Sequence, residues 1–158
     1  MTMRGGLTIA FLVWGAASAA QTEPCPDATH PKALKTLDRI RTDKGLDVDE
    51  RLVLLEKALE VDAECMACRF EAARLYFRRA KMGRAGGAEA FALLAPLLEE
   101  CPDFHADAWY MAGGLAYGNR DYAKAQELFT RFLDFPSDDL ERLGKDYDEH
   151  AREIREVL

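Results

Sequence analysis

The chain has 158 residues, with 28 acidic side chains against 21 basic ones and a formal net charge of −7. That balance argues against a nucleic-acid partner, whose phosphates are held by clustered Lys and Arg. At 49% hydrophobic residues, one domain has apolar material for a core of its own, without help from a metal.

The first segment reads as a leader. Arg4 is a short positive region, Leu7 to Ala16 an apolar run, and Ala17-Ser18-Ala19 a small-residue cleavage site. Residues 1–20 are therefore expected to be a signal peptide. The run is shorter than the roughly 20 residues of a membrane-spanning helix, and no second run is longer. The expectation is a periplasmic or secreted protein with no stable membrane insertion after cleavage; an uncleaved anchor is the alternative. All four cysteines, Cys25, Cys65, Cys68 and Cys101, lie beyond the leader. An even count behind a secretion signal predicts two disulfides.

Residues 21–31 form a polar lead-in. From His30 to Asp43, Ala33, Leu37 and Ile40 recur at helical spacing, and Lys44-Gly45 stops the run. A second helix is predicted from Asp47 to Val61, with Leu52, Leu55 and Leu59 on one stripe. A third runs from Met66 to Lys81, carrying Cys68, Ala72, Leu75, Tyr76 and Arg79. The glycine-rich link 82–87 leads to a helix over 88–100 that contains Pro96, where a kink is expected. Next comes a helical hairpin with Trp109, Ala112 and Gly113 on its first helix and Ala125 and Phe129 on its second. Asn119-Arg120-Asp121 makes the turn, Asp121 the N-cap and Pro136 the stop. The small pair Ala112 and Gly113 is expected to let the two helices approach against Ala125. A last, continuous helix is predicted over 138–157, with Leu140, Leu143, Tyr147, Ala151 and Ile154 on one face and charges on the other.

The order Trp109, Ala112, Gly113, Ala125, Phe129, Pro136 resembles the tetratricopeptide repeat (TPR) pattern W-x2-L-G-x2-Y, A-x3-F, P. Ala112 and Ala116 replace the usual Leu and Tyr, and Tyr117 falls one place late. The resemblance implies an all-α, right-handed helical-hairpin solenoid of about three TPR-like repeats, over 32–65, 66–102 and 104–136, with a C-terminal capping helix at 138–157. In that family the first helix of each repeat lines a concave groove. Carried over by position, the groove would contain Phe70, Arg74, Phe77 and Arg78 from repeat two, and Tyr110, Gly114 and Tyr117 from repeat three. Arg69, Arg74, Arg78, Arg79, Lys81 and Arg84 form a basic cluster, so a protein or peptide segment of acidic character is the expected partner. The alternative is that these arginines pair with Glu71, Glu89 and neighbouring acids while the aromatics pack between repeats. The implied function is a non-enzymatic interaction scaffold of a bacterial cell envelope, with an accessory role in cytochrome maturation as another reading.

In such hairpins the start of the first helix lies beside the end of the second. That placement favours Cys25–Cys65 and Cys68–Cys101 among the three possible pairings. Cys65-Met66-Ala67-Cys68 is also a C-x-x-C, so a thiol-redox or metal-binding protein is the competing class. The βαβ setting of thioredoxin-like sites is absent, and Arg69 stands where haem attachment needs His. A zinc site on Cys65, Cys68, Cys101 and His105 competes with disulfides in an oxidising compartment. His30, His105 and His150 belong to no catalytic motif, so neither enzymatic activity nor a cofactor is expected.

Overall fold

Most helices of the computed structural model start where a side chain accepts from a first-turn amide. The model describes residue 25, residues 27–136 and residues 139–158, so the expected leader lies outside the described residues. Helix α1, Pro31–Thr42, has Pro at its first position and His30 Nδ1 accepting from the Lys32 amide. Helix α2, Val48–Val61, opens with a capping box: Asp47 accepts from the Glu50 amide at 2.8 Å and Glu50 from the Asp47 amide at 2.9 Å. Helices α3 (Met66–Lys81) and α4 (Gly87–Glu100) follow, and Pro96 is accommodated inside α4. Helix α5 (Ala106–Gly118) is capped by His105, and α6 (Tyr122–Leu133) by Asp121. The turn between them carries Arg120 at φ 64°, in the left-handed region.

The described residues are all helical or irregular, with no strand. No described helix is long and apolar enough to cross a membrane. Helices α1 and α2, α3 and α4, and α5 and α6 pack as pairs, α1 also touches α3, and α3 touches α5. Helix α3 joins two cores. Ala67, Ala72 and Leu75 face a cluster with Leu37, Leu52 and Leu55. Met66, Phe70 and Ala73 face another with Leu94, Leu97, Met111, Phe132 and Ile154.

The C-terminal element departs from the expected continuous helix. It is broken into α7 (Leu140–Leu143) and α8 (Tyr147–Val157). Gly144 sits between them at φ 87°, and a Cβ there would lie 2.9 Å from the Asp107 carboxylate and 3.0 Å from the His105 ring. The chain must turn here to pass over the start of α5, and only glycine fits both the backbone and the gap. Helix α8 then docks through Tyr147, whose hydroxyl donates to the Phe132 and Leu133 carbonyls.

The close approach in the α5–α6 hairpin also differs from expectation. Gly113 faces the Phe129 ring rather than Ala125, with the nearest ring carbon 2.5 Å from a built Cβ.

The cysteines correct the expected pairing. The bridges are Cys25–Cys101, with Cα atoms 5.9 Å apart, and Cys65–Cys68, with Cα atoms 5.2 Å apart. The turn from α2 into α3 is short, so Cys65 becomes the N-cap of α3 and its sulfur faces the amide of Cys68 at 3.1 Å. The lead-in meanwhile runs one hairpin further than expected. The Asp27 carbonyl accepts from the Ala67 amide at 2.9 Å, and the chain continues to the end of α4.

Asp62 fixes the other end of that lead-in. Its carboxylate is buried and accepts from the Thr29 and His30 amides, both at 2.8 Å, and from the Thr29 hydroxyl at 3.1 Å. Burial alone would raise its pKa, but these donors outweigh it and hold the carboxyl below its usual 3.8. A folded pKa below the unfolded one gives stability that is complete above about pH 4 and lost as pH falls through the folded value. Asp62→Ala should therefore cost about 2 kcal/mol at neutral pH, because two backbone donors lose their acceptor. Thermal melts of both proteins should show that difference shrinking below about pH 4.

Candidate functional site

A cleft of about 930 Å³ opens where the lead-in, the first half of α3, the α4–α5 turn and α7 meet. Phe70 and Arg74, one turn apart on α3, both line it. Phe70 stacks on His105 with ring centroids 4.4 Å apart and meets Phe104 edge-on at 5.8 Å. Arg74 lies over the Phe70 ring at 5.9 Å and pairs with Glu71 at 2.7 Å. Its Nε is buried without a hydrogen-bond partner among the described residues. Cys25 and Cys101 are on the wall, so the bridge between them is part of the cleft.

His105 is held neutral. Its Nδ1 accepts from the Asp107 amide at 3.1 Å, and burial, helped by Arg74, pushes its pKa down to about 4. Behind it, burial raises the Asp107 carboxyl while His150 and Arg74 oppose the rise. His150 approaches Asp107 at 3.7 Å and stacks on Tyr110, with ring centroids 3.7 Å apart and planes within 8°.

The residues assigned to the groove therefore separate. Phe70 and Arg74 stay in the cleft. Tyr110 lies under His150 of α8 and contacts Phe132 at 5.7 Å. Phe77 meets Tyr110 edge-on at 6.2 Å, and a Cβ on Gly114 would come within 3.2 Å of the Phe77 ring. Arg78 is exposed. Tyr117 is also exposed and packs on Tyr122 at 5.3 Å. Phe77, Tyr110 and Gly114 thus meet one another between helices and do not line the cleft. Cys25, Phe104, His105 and Arg142 line the cleft although the groove pattern omits them. In the sequence, the echo of Cys25-Pro26-Asp27 in Cys101-Pro102-Asp103 marks Cys25 and the neighbourhood of His105, and nothing marks Arg142.

The lining is electrically mixed. Asp27, Glu71, Glu100, Asp103, Asp139 and Glu141 stand against Arg41, Arg74 and Arg142. A second, shallower cleft of about 640 Å³ runs from Pro102 and Trp109 along α6 to Pro136. The Trp109 indole there donates to the Pro102 carbonyl at 2.8 Å.

All four cysteines are in disulfides, and no group of three or more His, Cys, Asp or Glu among the described residues is arranged to hold a metal ion. The residues of the conjectured zinc site are thus divided between two bridges and the cap of α5. Scans against family models, curated proteins and solved structures each return no match for this chain.

Proposed function

We propose that this protein is a non-enzymatic interaction module of the bacterial cell envelope, built as a TPR-like stack of three helical hairpins and exported to an oxidising compartment. The helix pairing, the α1–α3 and α3–α5 contacts and the two disulfides support that reading. The observation that carries it is the cleft floored by Phe70, Phe104 and His105, with Arg74 set into it. Aromatic rings beside a guanidinium are the surface that forms binding hot spots.

The partner is a polypeptide segment. One of its carboxylates meets the exposed edge of the Arg74 guanidinium, which Glu71 holds in place at 2.7 Å. The surplus of carboxylates around the rim favours basic residues on either side of that anchor.

A photocrosslinking amino acid tests the site directly. Placed at Phe104, it should trap a discrete partner from envelope extracts. Placed at Phe91, which is exposed on α4 and absent from the cleft, it should not. Arg74→Glu should lower the Phe104 adduct at least tenfold, while the exposed Arg78→Glu leaves it unchanged. Equal trapping at both positions, or an adduct that survives Arg74→Glu, would move the binding site elsewhere.

A further inference from the structure

The two bridges differ in what a reductant can reach. Cys65 and Cys68 are both 0% exposed, whereas Cys25 is only partly buried and sits on the cleft wall with Cys101. Residues 27–30 lie across the buried pair. The Asp27 carbonyl accepts from the amide of Ala67, between the two cysteines. Ala28 packs on the core cluster that contains both sulfurs. Thr29 and His30 are tied to Asp62, three residues before Cys65. Cys25 anchors the other end of this strap to Cys101.

The covered pair is chemically competent. Cys65 is the N-cap of α3, a 16-residue helix, and its sulfur accepts from the Cys68 amide at 3.1 Å. A thiolate at that place faces the positive end of the helix and a ready donor, which is the environment that lowers a cysteine pKa and makes the sulfur a good nucleophile and leaving group. Structural bridges need neither feature.

We propose that residues 27–30 are a latch, locked by Cys25–Cys101, over a latent thiol–disulfide exchange site at Cys65–Cys68 whose reaction partner is a dithiol. This inference stands apart from the cleft's peptide partner. One thiolate of the dithiol attacks the Cys25 sulfur and expels the Cys101 thiolate, which takes a proton from water. The second thiol of the reductant resolves the mixed disulfide, frees Cys25 and leaves the reductant oxidised by two electrons. The strap is then held by a few hydrogen bonds, which local opening breaks far more readily than a covalent bridge. A second dithiol reaches Cys65–Cys68, expels the Cys65 thiolate from Cys68, and is oxidised in turn as both cysteines become thiols.

The experiment follows alkylation of each cysteine while the native protein is reduced by dithiothreitol at 25 °C. Cys25 and Cys101 should be labelled first, and label on Cys65 and Cys68 should appear only after a lag. Over the time in which less than a tenth of the Cys25–Cys101 bridge is reduced in the wild type, Cys65 and Cys68 of Cys25→Ala/Cys101→Ala should gain at least tenfold more label than those of the wild type, with the helical circular dichroism intact. That early labelling should be independent of low urea, as local opening requires; a rate that climbs with urea reports global unfolding. Labelling of Cys65 and Cys68 without a lag, or before Cys25, in the wild type would overturn the proposal. So would no early gain in the variant, or a gain that depends on urea.

Discussion

Gly113→Leu is expected to destabilise the α5–α6 hairpin by about 2 kcal/mol. An ideal Cβ at Gly113 would fall 2.5 and 2.6 Å from two carbons of the Phe129 ring. Phe129 is itself buried and lies 6.3 Å from the Tyr110 ring, and Tyr110 is covered by His150, so the ring has little room to retreat. Replacing a mid-helix glycine ordinarily gains about 1 kcal/mol in helix propensity. Here a four-carbon side chain would enter space already filled, and overpacking of even a few methylenes costs typically about 1–3 kcal/mol. At the upper end of that cost we expect a net loss of about 2 kcal/mol and a melting temperature lower by about 6 °C. Gly118→Ala is the control, since nothing lies within 4 Å of its Cβ, and it should melt like the wild type. An unchanged melt for Gly113→Leu would mean that α5 and α6 do not meet as described.

The second large effect concerns the long bridge. Cys25 and Cys101 are 76 residues apart, and closing a loop of that length removes enough chain entropy from the unfolded state to stabilise the fold by about 4 kcal/mol. Cys65 and Cys68 are three residues apart, and the same relation gives about 2 kcal/mol. Cys25→Ala/Cys101→Ala should therefore lower the melting temperature by well over 10 °C, while Cys65→Ala/Cys68→Ala lowers it by roughly half as much. The cleft wall should suffer only in the first variant, because only that bridge lines it. Equal losses in both pairs would contradict the connectivity.

Local features were the legible ones. The span of α3, the Asp121 cap of α6 and the one-turn spacing of Phe70 and Arg74 are set by residues within a few positions of each other, and the structure has all three. The features that were missed depend on distant chain segments. No periodicity tells that α8 returns to lay His150 on Tyr110. Gly144 fits a helical stripe well enough in sequence, but Asp107 and His105 lie where its side chain would be, and the helix breaks there. The disulfides were misassigned for the same reason. Hairpin geometry places Cys25 beside Cys65, but the Asp27–Ala67 and Asp62–Thr29 hydrogen bonds steer the lead-in past α3 to Cys101. Short-range sequence logic located the four sulfurs near one another without deciding the path between them.

The cleft wall, the strap and the latent dithiol all depend on that connectivity, and a tryptic map of the non-reduced protein tests it. The fold described here predicts that the peptide carrying Cys25 is joined to residues 85–120, which carry Cys101. Residues 58–69, with both Cys65 and Cys68, should be released alone and two hydrogens lighter than in the reduced state. If the three peptides travel as one linked species, the pairing is Cys25–Cys65 with Cys68–Cys101 or its crossed counterpart, and the account is wrong.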